Sequence, residues 1–128
     1  MKDIKSFEEG NLLEVLKSFE ATLQGFEYPL SYLKVVELGL KSFEFWFLMS
    51  SDQVVNRTQD LKERYPSRNL IPFAGRYNND DIACFEIGHG ERVFIVHDFA
   101  SEGWERRQEF NTFWEWFISA IKELIGIE

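Results

Sequence analysis

The chain has 128 residues, enough for one domain that buries roughly two thirds of the surface its unfolded form exposes. Its net charge of −8 argues against binding a nucleic-acid backbone, which takes clustered Lys and Arg, and suits a cationic partner. A single cysteine, Cys84, excludes an intramolecular disulfide, and apolar runs such as Phe45-Trp46-Phe47-Leu48-Met49 fall far short of the about 20 residues needed to cross a bilayer as a helix. Met1 to Gly10 is charged and lacks the apolar core of a signal peptide, so the expectation is a cytoplasmic protein without a membrane partner.

In chain order, the first ten residues suggest no role beyond Ile4 and Phe7 resting on a neighbouring helix. Asn11 opens a helix in which Leu12, Val15, Leu16, Phe19 and Leu23 keep helical spacing, and Gly25 ends it. Pro29 starts a second helix and Gly39 stops it, with Leu30, Leu33 and Val36 facing inward. From Ser42 to Leu48 the period changes to two, which predicts one strand with Phe43, Phe45 and Phe47 on one side. Ser50-Ser51-Asp52 offers caps for a third helix with Val54, Thr58, Leu61 and Tyr65 on its inner stripe, closed by Pro66; Asp60 and Arg64 form an exposed pair on it.

Three short strands follow: Leu70 to Ala74, ended by Gly75, then Ile82 to Ile87 and Arg92 to Phe99. The polar Asn78-Asn79-Asp80-Asp81 and the Gly88-His89-Gly90 turn separate them, the pattern of an antiparallel meander. A tight second turn places Ile87 opposite Arg92, Phe85 opposite Phe94 and Cys84 opposite Ile95. Cys84, Glu86, Ile95 and His97 then share one face, and Phe85, Phe94, Val96 and Asp98 the other. Both faces are mainly apolar, so each must be covered or one kept for a partner. The chain closes with a helix whose face is marked by Phe110, Phe113, Trp114, Phe117, Ile118, Ile121, Leu124 and Ile125, with Thr112 and Glu115 as a capping box and Gly126 as the stop. The grouped strands predict an α+β fold, a mainly antiparallel sheet packed with N-terminal, middle and C-terminal helices.

This order of elements, with several stretches of sequence, resembles the SMI1/KNR4 family, also called the SUKH superfamily. The stretches are Pro29-Leu30-Ser31-Tyr32, Val54-Val55-Asn56-Arg57-Thr58, Leu70-Ile71-Pro72-Phe73-Ala74, Asp81-Ile82-Ala83-Cys84-Phe85-Glu86 and the closing Phe110-Asn111-Thr112-Phe113-Trp114-Glu115-Trp116-Phe117. The likeness spans roughly Tyr28 to Leu124; the chain has Gly39-Leu40 where members often carry an Asn-Gly-Gly turn. Bacterial members are associated with immunity proteins that neutralise a polymorphic toxin. The resemblance therefore implies a binding protein that occludes a cognate toxin, without catalysis and without a cofactor.

Other chemistry competes with that expectation only weakly. Cys84, His97 and Asp98 are the residue types of a thiol hydrolase, but the expected register leaves Cys84 and His97 diagonal, roughly 7–8 Å apart at the backbone, with Asp98 facing away. His89, His97 and the Asn78 to Asp81 cluster lack the spacing of metal ligands. For partner binding the candidates are Asp80, Asp81, Glu86, Asp98, Glu102 and Trp104, which flank the meander and its exit loop; acidic groups there would complement a basic toxin surface around an aromatic anchor, with Arg106 and Arg107 interrupting them. The alternatives are a regulatory interaction module with a non-toxin partner and a small hydrolase using Cys84.

Overall fold

The computed structural model describes the backbone of residues 4–126 and the side chains of 12–126. Four helices and six strands follow in the order α1 (Ile4–Ala21), α2 (Leu30–Glu37), β1 (Ser42–Phe43), β2 (Trp46–Leu48), α3 (Ser51–Arg64), β3 (Leu70–Arg76), β4 (Asp81–Glu86), β5 (Val93–His97), β6 (Arg106–Phe110) and α4 (Phe113–Leu124). The strands form one sheet in sequence order, every neighbouring pair antiparallel. This is the α+β arrangement that the grouping of strands predicts. None of the helices is long and apolar enough to cross a membrane among the described residues.

Residues of β3, β4 and β5 are buried on both faces, so no apolar face of the central sheet remains open. On one face Phe73 and Phe85 stack at 4.5 Å and meet Tyr32 of α2 and Phe113 of α4; Trp116 of α4 packs edge-on against Phe73 at 4.9 Å. Cys84 and Glu86 alternate to the opposite face, where α3 covers the sheet with Val54 and Leu61 fully buried. That helix starts on a full capping box: Ser50 Oγ accepts the Gln53 N–H at 3.3 Å and Gln53 Oε1 accepts the Ser50 N–H at 2.9 Å. Pro72 stands inside a central strand, which it tolerates because a bulge between Pro72 and Ala74 breaks the ladder there.

Several local expectations change. The first helix begins at Ile4 instead of Asn11; the side chains of Ile4 and Phe7 lie outside the described residues. In α2 the inner stripe is Tyr32, Val35 and Val36, whereas Leu30 is 83% exposed at the first helical position. The single strand from Ser42 to Leu48 is a hairpin: Glu44 adopts φ +69 and the Phe45 N–H donates to Phe43 O at 2.8 Å, a three-residue turn that puts the chain back on itself. In α4 Trp116 is the buried tryptophan, and Trp114 and Ile118 turn outward, as does Ile125 at its C-cap. Thr112 Oγ1 caps the Glu115 N–H at 3.2 Å, while the Glu115 carboxylate accepts from Asn111, one residue earlier than a capping box requires. Residues 106–109, for which no strand is expected, and Phe110, expected on the closing helix, form the edge strand β6.

The consequential correction is the register of β4 and β5. Cys84 faces Phe94, Ala83 faces Ile95 and Asp81 faces His97, a slip of one residue from the expected pairing. The cause is the connection, which holds two successive turns, His89 N–H to Glu86 O at 3.1 Å and Arg92 N–H to His89 O at 3.2 Å, in place of one tight turn. A one-residue slip exchanges the faces, so Phe94 and Val96 join Cys84, and His97 moves to the face of Asp81 and Phe85.

Candidate binding surface

The corrected register separates Cys84 from His97 completely, because they now lie on opposite faces of the sheet. Cys84 is fully buried, and burial pushes its thiol far above the ordinary range; His97 Nδ1 instead sits 2.9 Å from Asp81 Oδ1, its partner across the strand pair. The thiol and the imidazole therefore form no nucleophile–base pair.

One end of the sheet gathers three turns: Glu44–Phe45 between β1 and β2, residues 77–80 between β3 and β4, and the loop 98–105 between β5 and β6. Backbone bonds tie them together, with the Tyr77 N–H on Phe45 O at 2.9 Å and the Asp98 N–H on Asp80 O at 3.0 Å. Large aromatic rings stand in solvent here: Trp104 is 80% exposed, Phe99 63% and Tyr77 61%. Asp80 and Glu102 are exposed among them and make no side-chain bond to any described residue. Phe99, like Glu44, has a positive φ of 69°, a conformation that a bulky side chain adopts only when its surroundings enforce it.

Those surroundings are two clusters of buried charge at the feet of the loop. At the first foot Asp98 is buried and held by three guanidinium contacts: Arg64 Nε at 2.8 Å and Nη2 at 2.8 Å, and Arg57 Nη2 at 2.9 Å. Asp98 Oδ1 also accepts the Phe99 N–H at 2.8 Å, and the Arg64 guanidinium lies 4.3 Å above the Phe99 ring. At the second foot Glu105 is buried, bonded to Arg68 Nη1 at 3.0 Å and to the Gly103 N–H at 2.7 Å. Arg68 simultaneously grips Glu86 through Nε at 3.0 Å and Nη2 at 2.9 Å. Burial pushes the Glu86 and Glu105 carboxyls up, but the Arg68 guanidinium, joined at Glu105 by backbone N–H groups, outweighs it and holds both below the usual carboxylate value. Between the feet, the Tyr65 hydroxyl donates to Ala100 O at 2.8 Å.

Of the six residues singled out from sequence, Asp80, Glu102 and Trp104 are brought together at this end. Asp81 belongs to it but is engaged by His97 and lies 3.7 Å from Arg107 Nε. Glu86 and Asp98 are corrections: both are buried and bonded to internal arginines, so neither offers a free surface charge. The expected Asp60–Arg64 pair is likewise replaced, because Arg64 turns inward to Asp98. Sequence reading missed Phe99 and Tyr77, which it left in or beside strands, and all three arginines of the clamps, whose partners lie 18 to 41 positions away. No family model, curated protein or solved structure matches the chain.

Proposed function

We propose that the chain is an immunity-type protein that works in the cytoplasm by binding a cognate toxin domain and occluding it, through the end of the sheet that carries Tyr77, Asp80, Phe99, Glu102 and Trp104. The observation that carries this reading is the pair of exposed aromatics, Phe99 and Trp104, on a loop whose two feet are clamped by buried ion pairs. Aromatic anchors held in place before encounter lose little entropy on binding, and exposed carboxylates beside them attract a basic surface and raise the association rate. The resemblance to the SMI1/KNR4 family supplies the kind of partner. A regulatory module with another protein partner would use the same surface, and the identity of the partner is what separates the two.

The test is co-expression with the toxin domain encoded beside this gene, followed by binding kinetics at two ionic strengths. Replacing Asp80 and Glu102 together with Lys leaves both clamps intact; it slows association and weakens its dependence on salt. Trp104→Ala speeds dissociation and costs about 2 kcal/mol or more of binding. Unchanged rates in both variants would remove this end of the sheet as the interface, and failure of the wild-type chain to bind or protect would remove the toxin reading.

A further inference from the structure

The closing helix is apolar around more of its circumference than the core covers. Phe113, Trp116 and Ala120 of α4 are buried, and Phe117 and Leu124 are half-buried beside them. A second stripe lies about 100° round the helix from that face. It holds Trp114 and Ile118, each 49% exposed, the half-buried Ile121, and Ile125, 60% exposed at the C-cap. Their spacing of four, three and four residues is that of a seam between two helices. Leu30, exposed at the start of α2, lines the same groove as Trp114 and extends the patch. Contiguous apolar surface of this kind marks a contact site.

We infer that α4 packs antiparallel against α4 of a second copy, about a two-fold axis between Ile118 and Ile121. The residues that flank the stripe name this partner. Glu115 and Lys122, both exposed, lie on its outward flank two turns apart, and Phe117 and Leu124 lie on its inward flank. In the antiparallel register Trp114 packs beside Ile125 of the other copy and Ile118 beside its Ile121. The same register sets Glu115 beside Lys122 of the other copy and Lys122 beside its Glu115, so opposite charges meet twice, while Phe117 and Leu124 close the other flank. A parallel pair would place the charged flank of each copy against the apolar flank of the other, and no opposite charges would meet. Both charges are available for this pairing: Lys122 has no side-chain partner among the described residues, and Glu115 uses only Oε2, which accepts the Asn111 N–H at 2.9 Å.

A seam of about three turns covers less than the about 800 Å² per partner of a standard interface, and two chains of net charge −8 repel at long range, so the dimer is a reversible one that dissociates on dilution. None of the seam residues belongs to the loop surface proposed above, so the inference stands apart from that reading. Sedimentation equilibrium of the full chain at concentrations up to about 1 mM tests it. The wild-type chain shows a monomer–dimer equilibrium. Ile118→Glu puts a carboxylate beside Ile121 of the other copy and raises the dissociation constant about tenfold or more, whereas Ser119→Glu, which adds the same charge off the seam, leaves it within about twofold. Lys122→Glu alone sets glutamate beside glutamate and Glu115→Lys alone sets lysine beside lysine, and each weakens association. Mixing these two variants restores it, because a chain with glutamate at both positions then faces a chain with lysine at both. Far-ultraviolet circular dichroism checks that each variant is folded; Ile118→Glu and Lys122→Glu decide the matter if Glu115→Lys, which gives up the Asn111 contact, is not. A wild-type chain that stays monomeric, Ile118→Glu or Lys122→Glu associating as tightly as the wild type, equal weakening by Ser119→Glu, or a mixture of folded variants no tighter than either alone overturns the inference.

Discussion

Arg68 is the one cation between two buried carboxylates, and replacing it with Met asks what that position costs the fold. The side chains of Arg68, Glu86 and Glu105 are each about nine-tenths or more removed from solvent. Loss of one member of such a cluster leaves charge buried without a partner, which costs about 3–5 kcal/mol, a large share of the about 5–15 kcal/mol by which a domain is stable. The dependence on pH gives the sharper signature. In the wild-type chain both carboxyls are held below their ordinary value of 4.5, so their contribution to stability is fully present above that value and is lost as pH falls through the lowered folded-state value. Without Arg68, burial is opposed only by His89 and Arg106 at Glu86 and by the Glu105 and Gly103 backbone N–H groups at Glu105, so both folded-state values rise and acidification destabilises the variant less than the wild-type chain. Urea denaturation followed by tryptophan fluorescence at pH 7 and pH 4 therefore finds a large loss at neutral pH that shrinks in acid. Glu86→Gln in the Arg68→Met background recovers part of the loss at pH 7, since it removes one unpaired charge. A loss below about 1 kcal/mol at pH 7, or one that stays constant with pH, would refute the clamp as described.

The two tryptophans of α4 separate core from surface: Trp116→Ala costs about 3–5 kcal/mol, whereas Trp114→Ala, at a position 49% exposed, stays within about 1 kcal/mol, and equal costs in thermal unfolding would overturn the packing of that helix. Cys84 reacts with a thiol reagent only as fast as the chain unfolds, because its thiol is buried and burial disfavours the thiolate. Native-state labelling at the rate of a free thiol would show that the α3 face is open.

The fold class was legible because the strong signals are local. The Ser50 cap, the Gly126 stop and the β-branched and aromatic runs of β3, β4 and β5 act over a few residues, and tertiary structure had no reason to override them. Register was not legible, since it depends on how many turns fit between Glu86 and Val93, and both a one-turn and a two-turn connection suit Gly88-His89-Gly90. The edge strand was hidden for a different reason: Arg-Arg-Gln-Glu-Phe has no period-two apolar pattern because neither of its faces is buried, so it carries none of the signal that marks an inner strand. At the candidate surface, Trp104 could be singled out as an exposed anchor beside acidic residues. Asp98 and Glu86 could not be told from Asp80 and Glu102, because what distinguishes them is an arginine distant in sequence.

Those arginines also bear on why a loop at the end of the sheet is built so expensively. Ion pairs buried in a domain give less stability than apolar packing of the same volume, and loops ordinarily need no such anchors. Here the two clusters sit at positions 98 and 105, the two ends of one loop, and one of them holds Phe99 in a backbone conformation that a free chain would leave. Salt bridges fix direction as well as distance: the fork of Arg64 meets both oxygens of Asp98, and the fork of Arg68 both oxygens of Glu86. Apolar packing would hold the feet of the loop but tolerate small rotations of it. On the reading proposed above, rotation is what an aromatic anchor must not do, since a ring that has to search for its pocket loses the entropic advantage of being preorganised. The clamps and the exposed rings then make one device, in which buried charge orients rings that stand at the same end of the sheet as the exposed carboxylates of Asp80 and Glu102.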